Sequence, residues 1–236
     1  NIMTLEEPVE YQINLIRQTA IQEAQGLTFA EGVRGILRQD PDMVFIGEIR
    51  DGDTAQMALR AAMTGHKVFS TLHCNDALGA LPRLVDLGLN PRMMTGNVNG
   101  ILAQRLVRKL CPHCKRPRNA TADEMGLVQR IGETRNASQL SEAQSPCLAS
   151  VPKLFESAGC PQCLNGYKGR IAVSEILCIT PALDELIAAD APRSTLRRQA
   201  QADGLRGMAQ DGLAKVIAGE IDLPSLRRAV DLARFA

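Results

Sequence analysis

The chain has 236 residues, of which 45% are hydrophobic, so it can bury a sizeable core in one or two domains. Its 27 lysine and arginine residues nearly balance 26 aspartate and glutamate residues, and aromatic residues make up only 3%. This composition disfavours a basic nucleic-acid-binding surface and a stacking platform for single strands, and we expect no nucleic-acid partner. No apolar run approaches the roughly 20 residues of a membrane-spanning helix, and no signal peptide is visible.

Residues 1–110 alternate short apolar runs with helical patterns, which is typical of an α/β domain with a parallel sheet. The predicted strands cover residues 2–5, 43–46 and 67–72. The predicted helices begin, in chain order, at Thr28, Asp53, Asn75 and Asn90. Glu31 completes a capping box with Thr28, and the helix from Asn90 is expected to run to about Leu110.

The remainder of the chain divides into three predicted segments by composition. Residues 111–165 hold two cysteine pairs and a polar middle, which we interpret as partly helical and partly mobile. Residues 166–180 contain an alternating pattern that is typical of a strand returning to the core. Residues 181–236 regain helical periodicity, with helix starts near Ser194 and Asp222, and form a predicted C-terminal helical subdomain.

Glu48 follows a buried predicted strand in the segment DPDMVFIGEIRD. Ligands of open α/β sheets lie outside the carboxyl ends of the strands. An acid at that place can orient an attacking water molecule or hold Mg²⁺ beside a nucleotide phosphate. Taken alone, Glu48 also fits an ordinary surface ion pair with Arg50.

Other polar side chains follow the two remaining predicted strands. Glu6, Glu7 and Glu10 lie in the segment TLEEPVE, and clustered carboxylates repel unless a cation such as nucleotide-bound Mg²⁺ offsets them. A solvated acidic loop is the alternative. His73 ends the segment GHKVFSTLH, where it can contact a γ-phosphate, and His66 lies at the opposite end of the same strand. A structural role is the alternative for both histidines.

In order and spacing, these three segments resemble the Asp box, the Walker B segment and the His box of the bacterial type II secretion and type IV pilus assembly ATPases. Members of that family read T-x-E-D-P-x-E, D-P-D-x-x-x-x-G-E-x-R-D and G-H-x-x-x-x-T-L-H-x-N-D-A, and this sequence departs at Glu7, where aspartate is usual. The resemblance implies a RecA-like α/β ATPase core in residues 1–110. It implies that Glu48 polarises the attacking water, that Glu6 helps to hold the Mg²⁺ and water network, and that His73 senses the γ-phosphate.

The resemblance implies further nucleotide contacts. Arg34 and Arg38 match arginines of the helix before the Walker B strand, and ordinary helix surface charge is the alternative for both. Arg170 matches a nucleotide-contacting arginine in the family's G-Y-x-G-R-x-x-x-x-E-x-L stretch. His66, in the His box, is also expected at the nucleotide.

The chain has seven cysteines, an odd number that weakens a pure disulfide framework. Cys111 with Cys114 and Cys160 with Cys163 form two C-x-x-C pairs, whose thiolates can close a tetrahedral Zn²⁺ site without an open position. We therefore expect a structural zinc ion, with metal-free thiols or disulfides as the alternative. The predicted non-ligands are His113, Cys74, Cys147 and Cys178. Pilus-assembly and secretion members of the family carry this tetracysteine element, whereas retraction ATPases lack it.

No G-x-x-x-x-G-K-[ST] phosphate-binding loop occurs in the sequence. Family members place that loop shortly before the Asp box, so we expect a C-terminal part of a longer ATPase and an inactive isolated chain. The resemblance implies that the full protein uses ATP with Mg²⁺, forms a hexamer, and acts in the cytoplasm on an inner-membrane platform protein of a pilus or secretion machine. A non-catalytic zinc adaptor or partner-binding module is the alternative.

Basic residues cluster around the first cysteine pair, where they can face an anionic membrane or an acidic neighbouring subunit. The cluster comprises Arg105, Arg108, Lys109, Lys115, Arg116 and Arg118. A solvated, charged end of the preceding helix is the alternative.

Overall fold

The structure is a computed structural model, and it describes residues 1–133 and 153–235. The chain forms two compact units. The first unit contains residues 1–101 and 179–196, and the second contains residues 102–178 and those from 197 onward.

The strands are β1 (Ile2–Glu6), β2 (Arg17–Ala20), β3 (Met43–Ile46), β4 (Lys67–Ser70), β5 (Gly100–Leu110), β6 (Arg116–Asn119), β7 (Lys153–Glu156) and β8 (Tyr167–Cys178). The helices are α1 (Phe29–Ile36), α2 (Gly52–Met63), α3 (Ala80–Asp86), α4 (Pro91–Met94), α5 (Ala122–Glu133), α6 (Pro181–Ala188), α7 (Arg193–Ala202), α8 (Met208–Ile217) and α9 (Leu223–Ala229). Short 3₁₀ turns lie at Glu23–Gln25, Leu37–Gln39 and Ala233–Phe235.

A parallel sheet in the order β2-β1-β3-β4 forms the centre of the first unit. The three strands predicted from apolar runs correspond to β1, β3 and β4, which lie side by side. Met3 and Leu5 of β1 and Val44 and Ile46 of β3 are buried in a core that α1 and α2 complete. Because parallel strands end at the same edge of a sheet, the residues that follow β1, β3 and β4 are brought together.

Helix α1 begins where the sequence predicts, because Thr28 and Glu31 form a capping box. The backbone N–H of Glu31 donates to Oγ1 of Thr28 at 3.2 Å, and the backbone N–H of Thr28 donates to the Glu31 carboxylate at 3.3 Å. Phe29, Val33 and Ile36 then recur at helical spacing and are buried in the core of this unit. The helix thereby leads the chain back towards the start of β3.

The prediction of a helix from Asn90 to about Leu110 is wrong. Helix α4 ends at Met94, and residues 100–110 form the long strand β5. Burial alternates along β5 as far as Val107, a period of two that is typical of a strand and that the helical interpretation overlooked. This segment pairs with β8 in a two-stranded sheet. The basic residues predicted at a helix end therefore lie on and after a strand.

The helices predicted from Asp53 and Asn75 exist, but they begin elsewhere. Asp51 rather than Asp53 is the N-cap of α2, and its carboxylate accepts a backbone hydrogen bond from the first turn. Helix α3 begins at Ala80 rather than Asn75, and the side chain of Asp76 closes a turn before it.

The second unit packs helices against two small sheets. β5 pairs with β8, and β6 pairs antiparallel with β7. Its core gathers apolar side chains of strands and helices, among them Val107, Val173 and Leu226. Helix α5 confirms the helical part of the predicted polar middle, and the rest of that middle, including Cys147, lies outside the described residues.

One predicted strand and two predicted helix starts in the C-terminal part of the chain are confirmed. β8 contains the predicted strand, and α7 begins at Arg193 beside the predicted Ser194. Asp222 caps α9, where its carboxylate accepts a hydrogen bond from the backbone N–H of Ser225 at 2.9 Å. Across the described ranges, every helix is too short or too polar to cross a membrane.

Candidate functional site

Backbone hydrogen bonds join the carboxyl ends of β1, β3 and β4 just beyond the strands. The N–H of Gly47 donates to the carbonyl oxygen of Leu5 at 2.7 Å, and the N–H of Ile49 donates to that of Thr71 at 3.0 Å. A Cβ at Gly47 would lie 3.0 Å from the Leu5 carbonyl oxygen, so glycine suits this close approach. The segments that follow the three strands are therefore held next to one another.

Glu48 lies between two basic side chains at this edge. Its Oε1 accepts a hydrogen bond from Nη2 of Arg50 at 2.5 Å, and its Oε2 lies 3.4 Å from Nε2 of His73. The Glu48 side chain is 19% exposed, whereas that of His73 is 91% exposed. Hydrogen bonding by Arg50 lowers the pKa of the Glu48 carboxyl against the opposing effect of burial, and His73 lowers it further. Glu48 is thus an anion beside an imidazole that is open to solvent.

Arg50 also contacts the segment that follows β1. Its Nη1 donates to Oε2 of Glu7 at 2.6 Å, so one guanidinium joins carboxylates from two neighbouring strand ends. Hydrogen bonding to Glu48 raises the pKa of Arg50. From the sequence, Arg50 is predicted only as an alternative surface partner of Glu48, and Glu7 only as one of three clustered carboxylates. The signal for this contact in the sequence was the position of Arg50 shortly after Glu48.

Glu6 ends β1 at the same edge, and its carboxylate has other partners. Its Oε1 accepts hydrogen bonds from Oγ1 of Thr4 at 2.6 Å and from Nε2 of Gln18 at 2.9 Å. These bonds hold the carboxylate beside the β1–β2 pair. The structure thus brings Glu48 and His73 into contact, and it places Glu6 on the adjacent strand with polar neighbours of its own.

The other predicted nucleotide contacts occupy separate elements. Arg34 is exposed on α1, and Arg38 is exposed on the 3₁₀ turn that follows. His66 precedes β4, at the amino-terminal end of that strand, and its Nδ1 lies 3.0 Å from the carbonyl oxygen of Ala61 in the last turn of α2. Arg170 is an exposed residue of β8 in the second unit. The role of these four residues at a nucleotide stays a prediction.

The two C-x-x-C pairs come together in the second unit. Sγ of Cys111 lies 3.9 Å from Sγ of Cys160, and Sγ of Cys114 lies 3.7 Å from Sγ of Cys163. All four sulfurs lie within 4.8 Å of one another. Thiolates about 2.3 Å from a tetrahedral zinc ion would be about 3.8 Å apart, which these distances match. The four cysteines can therefore hold a metal ion, and their geometry is consistent with zinc.

Backbone groups favour the thiolate form of Cys163, whereas burial raises the pKa of Cys114. Although burial opposes it, hydrogen bonds from the backbone of Cys160 and Gly166 lower the pKa of Cys163 to about 7. The N–H of Cys111 donates to the carbonyl oxygen of Gly166 at 2.9 Å, which ties the first pair to the segment after the second. Among the described residues, the metal-ligating group leaves out the predicted non-ligands His113, Cys74 and Cys178.

Comparisons with known proteins show the family of the chain. A family model described as Type II/IV secretion system protein matches residues 1–228. The chain belongs to this family. Within the family, the type II secretion system ATPase E of Vibrio cholerae is 41% identical over 97% of this chain and 42% of its own length. The type IV pilus assembly ATPase PilB of Pseudomonas aeruginosa is 38% identical over 97% of this chain and 38% of its own length.

A solved structure supports the fold of this Type II/IV secretion system protein. The crystal structure of the pilus retraction motor PilT with bound ADP matches with a TM-score of 0.64 and 26% identity, covering 96% of this chain and 51% of the PilT chain. The chain therefore has the RecA-like α/β fold of the traffic ATPases, as the three motifs predicted, with a tetracysteine group added. It spans less than half the length of the curated relatives that it matches.

Proposed function

We propose that the chain is the C-terminal part of a hexameric ATPase that drives type II secretion or the assembly of a pilus or pseudopilus. The contact between Glu48 and His73 at the carboxyl edge of a parallel sheet carries the proposal. That edge is where open α/β sheets place their ligands. Relatives named for type II secretion and for type IV pilus assembly support the same assignment.

Glu48 is the proposed catalytic carboxylate. Because Arg50 lowers the pKa of Glu48, the carboxylate is deprotonated at neutral pH and can accept a hydrogen bond from the attacking water. His73, with its exposed ring, is the proposed contact of the γ-phosphate. We propose that Glu6 helps to hold the water network around Mg²⁺. When it is bound with ATP, the Mg²⁺ would neutralise phosphate charge.

Further nucleotide contacts are proposed for Arg34, Arg38, Arg170 and His66. The three arginines are exposed, so a phosphate can reach their guanidinium groups. The 236 residues contain no phosphate-binding loop of the G-x-x-x-x-G-K-[ST] type, and we propose that this chain alone binds Mg-ATP weakly and does not hydrolyse it. Turnover of Mg-ATP by the purified chain would contradict this part of the proposal.

A structural Zn²⁺ is proposed at the four cysteines. Thiolates are the ligands that structural zinc sites use most, and four of them leave no position for water or substrate. The ion would hold together the turns at Cys111–Cys114 and Cys160–Cys163.

The proposal includes the organisation of the chain that the sequence predicts. Its segments are an ATPase core (1–110), a zinc module (111–165), a returning strand (166–180) and a helical subdomain (181–236).

The proposed partners are further copies of the protein in a hexamer and a platform protein at the cytoplasmic face of the inner membrane. An anionic membrane surface is a further proposed contact, through the basic cluster around the first cysteine pair. Within that cluster, Lys115 donates to a backbone carbonyl and Arg118 pairs with Glu124. Lys109 and Arg116 are exposed and are the members best placed to face lipid headgroups.

The test is Glu48→Gln in the full-length protein. We expect ATP binding to persist while turnover falls at least about 100-fold, because proton-handling groups contribute ~10²–10⁴-fold. Binding is followed with a fluorescent nucleotide, and turnover is followed by phosphate release. Arg60→Gln, which removes an exposed charge of α2, is the matched control. Unchanged turnover in Glu48→Gln would remove Glu48 from this role, and a full-length protein without ATP binding would favour the non-catalytic zinc adaptor.

A further inference from the structure

The guanidinium of Arg50 joins two acidic segments that follow neighbouring strands. Nη1 donates to Oε2 of Glu7 at 2.6 Å, and Nη2 donates to Oε1 of Glu48 at 2.5 Å. Glu7 follows β1 and Glu48 follows β3, which pair in parallel. Because the donors belong to one planar and rigid fork, the bridge holds the two carboxylates at a set separation.

Charge repulsion explains why this edge of the sheet needs a permanent cation. Glu6 ends β1 and Glu7 follows it, beside Glu48 after β3, and neighbouring carboxylates repel one another unless a positive charge offsets them. His73 faces Glu48 from the segment after β4, but it is charged only when it is protonated. Arg50 is always charged, and it therefore supplies the constant positive charge at this edge.

The bridge also gives the two oxygens of Glu48 different surroundings. Oε1 is held by Arg50, and Oε2 faces His73 at 3.4 Å. The terminal torsion of a glutamate side chain is broad when nothing restrains it. With one oxygen tied to a partner that is itself anchored on Glu7, the other oxygen is presented in one direction.

We propose that Arg50 is a positioning residue, which is anchored on Glu7 and holds Oε1 of Glu48 so that Oε2 is presented beside His73. The catalytic consequence rests on the proposed function of Glu48. The bridge itself is a property of this chain, and it can be measured without nucleotide.

The first test follows the titration of Glu48 in this chain by carboxyl ¹³C NMR, with the resonance assigned through Glu48→Gln. In Arg50→Gln the midpoint should rise, because an opposite charge in direct contact is removed. In Glu7→Gln the midpoint should not rise, because a negative charge is removed while Arg50 stays. Arg60→Gln is the control and should leave the midpoint unchanged.

The second test measures ATP turnover of the full-length variants and separates positioning from charge. Glu7→Gln should lower kcat about 10-fold or more with KM for ATP within about twofold, since the anchor of the fork is lost. Arg50→Lys should keep the Glu48 midpoint low but recover only part of kcat, because a lysine is a single point charge without the fork.

An unchanged Glu48 midpoint in Arg50→Gln overturns the bridge. Wild-type kcat in both Glu7→Gln and Arg50→Lys overturns the positioning role. If Arg50→Gln does not fold, as judged by circular dichroism, then Glu7→Gln and Arg50→Lys decide whether Arg50 has the positioning role. If Glu48→Gln itself keeps full turnover, the proposed function of Glu48 and the positioning role fail together, while the NMR midpoint still reports the bridge.

Discussion

Nε2 of His73 lies 3.4 Å from Oε2 of Glu48, although the two residues follow different strands. The contact exists because β3 and β4 are parallel neighbours whose chains continue past the same edge of the sheet. The His73 side chain is 91% exposed, so it can reach a ligand while it keeps this contact. The proposed ATPase reaction depends on this pair.

We expect His73→Asn in the full-length protein to lower ATP turnover about 10-fold or more, because the proposed contact with the γ-phosphate is lost. ADP affinity should stay unchanged, since ADP has no γ-phosphate. Phosphate release and fluorescent-ADP titration measure the two quantities. His113→Asn, which alters an exposed histidine of the second unit, is the control. Normal turnover in His73→Asn would argue against the γ-phosphate contact.

Metal analysis tests the cysteine cluster. We expect one zinc ion per chain, measured by plasma mass spectrometry, and its loss in Cys160→Ser. Zinc ligation can contribute ~10–16 kcal/mol in small peptides, so the same variant should unfold at a lower temperature. Cys178→Ser replaces an exposed thiol and should keep the metal. Full zinc occupancy in Cys160→Ser would exclude this residue as a ligand.

The pairing of Glu124 with Arg118 predicts an acid-dependent stability. Arg118 donates from Nη2 and Nη1 to the two Glu124 oxygens at 2.5 and 2.7 Å, and Oε2 also accepts from the backbone N–H of Thr121 at 2.9 Å. Hydrogen bonding by Arg118 lowers the pKa of Glu124 to about 2, despite burial. The stabilisation is therefore fully present above the ordinary pKa of 4.5 and is lost as the pH falls towards 2.

At pH 7, Glu124→Gln should lower the free energy of unfolding by about 1 kcal/mol, a value reduced for partial exposure to solvent. The difference from the wild type should shrink between pH 4.5 and pH 2. Urea unfolding at several pH values measures both. Asp123→Asn, at an exposed position of the same helix, should have little effect at any pH. A stability difference that does not change with pH would contradict this account.

Gly212 of α8 packs directly against α9. A Cβ at Gly212 would lie 2.2 Å from Cδ1 of the fully buried Leu226. Overpacking usually costs about 1–3 kcal/mol, and the better helix propensity of alanine offsets about 1 kcal/mol of this cost. Gly212→Ala should therefore lower the free energy of unfolding by up to about 2 kcal/mol. A Cβ at Gly132 in α5 would meet nothing within 4 Å, so Gly132→Ala should not destabilise the chain. Equal effects in urea unfolding would contradict the packing argument.

Features with local signals were predictable from the sequence. The buried run at 43–46 forms β3, and the capping box of Thr28 and Glu31 starts α1, because neighbouring residues decide both. Strand β5 was missed, because an apolar segment of that length with interspersed polar residues also fits a helix, and pairing with β8 decided between them.

The sequence by itself determined that Glu48 and His73 follow strands of a parallel sheet, and that each C-x-x-C turn offers two sulfurs, because periodicity and spacing along the chain carry these signals. Only the tertiary structure decided that Arg50 joins Glu48 to Glu7, and that Glu6 accepts hydrogen bonds from Thr4 and Gln18. Side-chain partners depend on rotamers and on which strands lie side by side, and both are settled only when distant segments pack together.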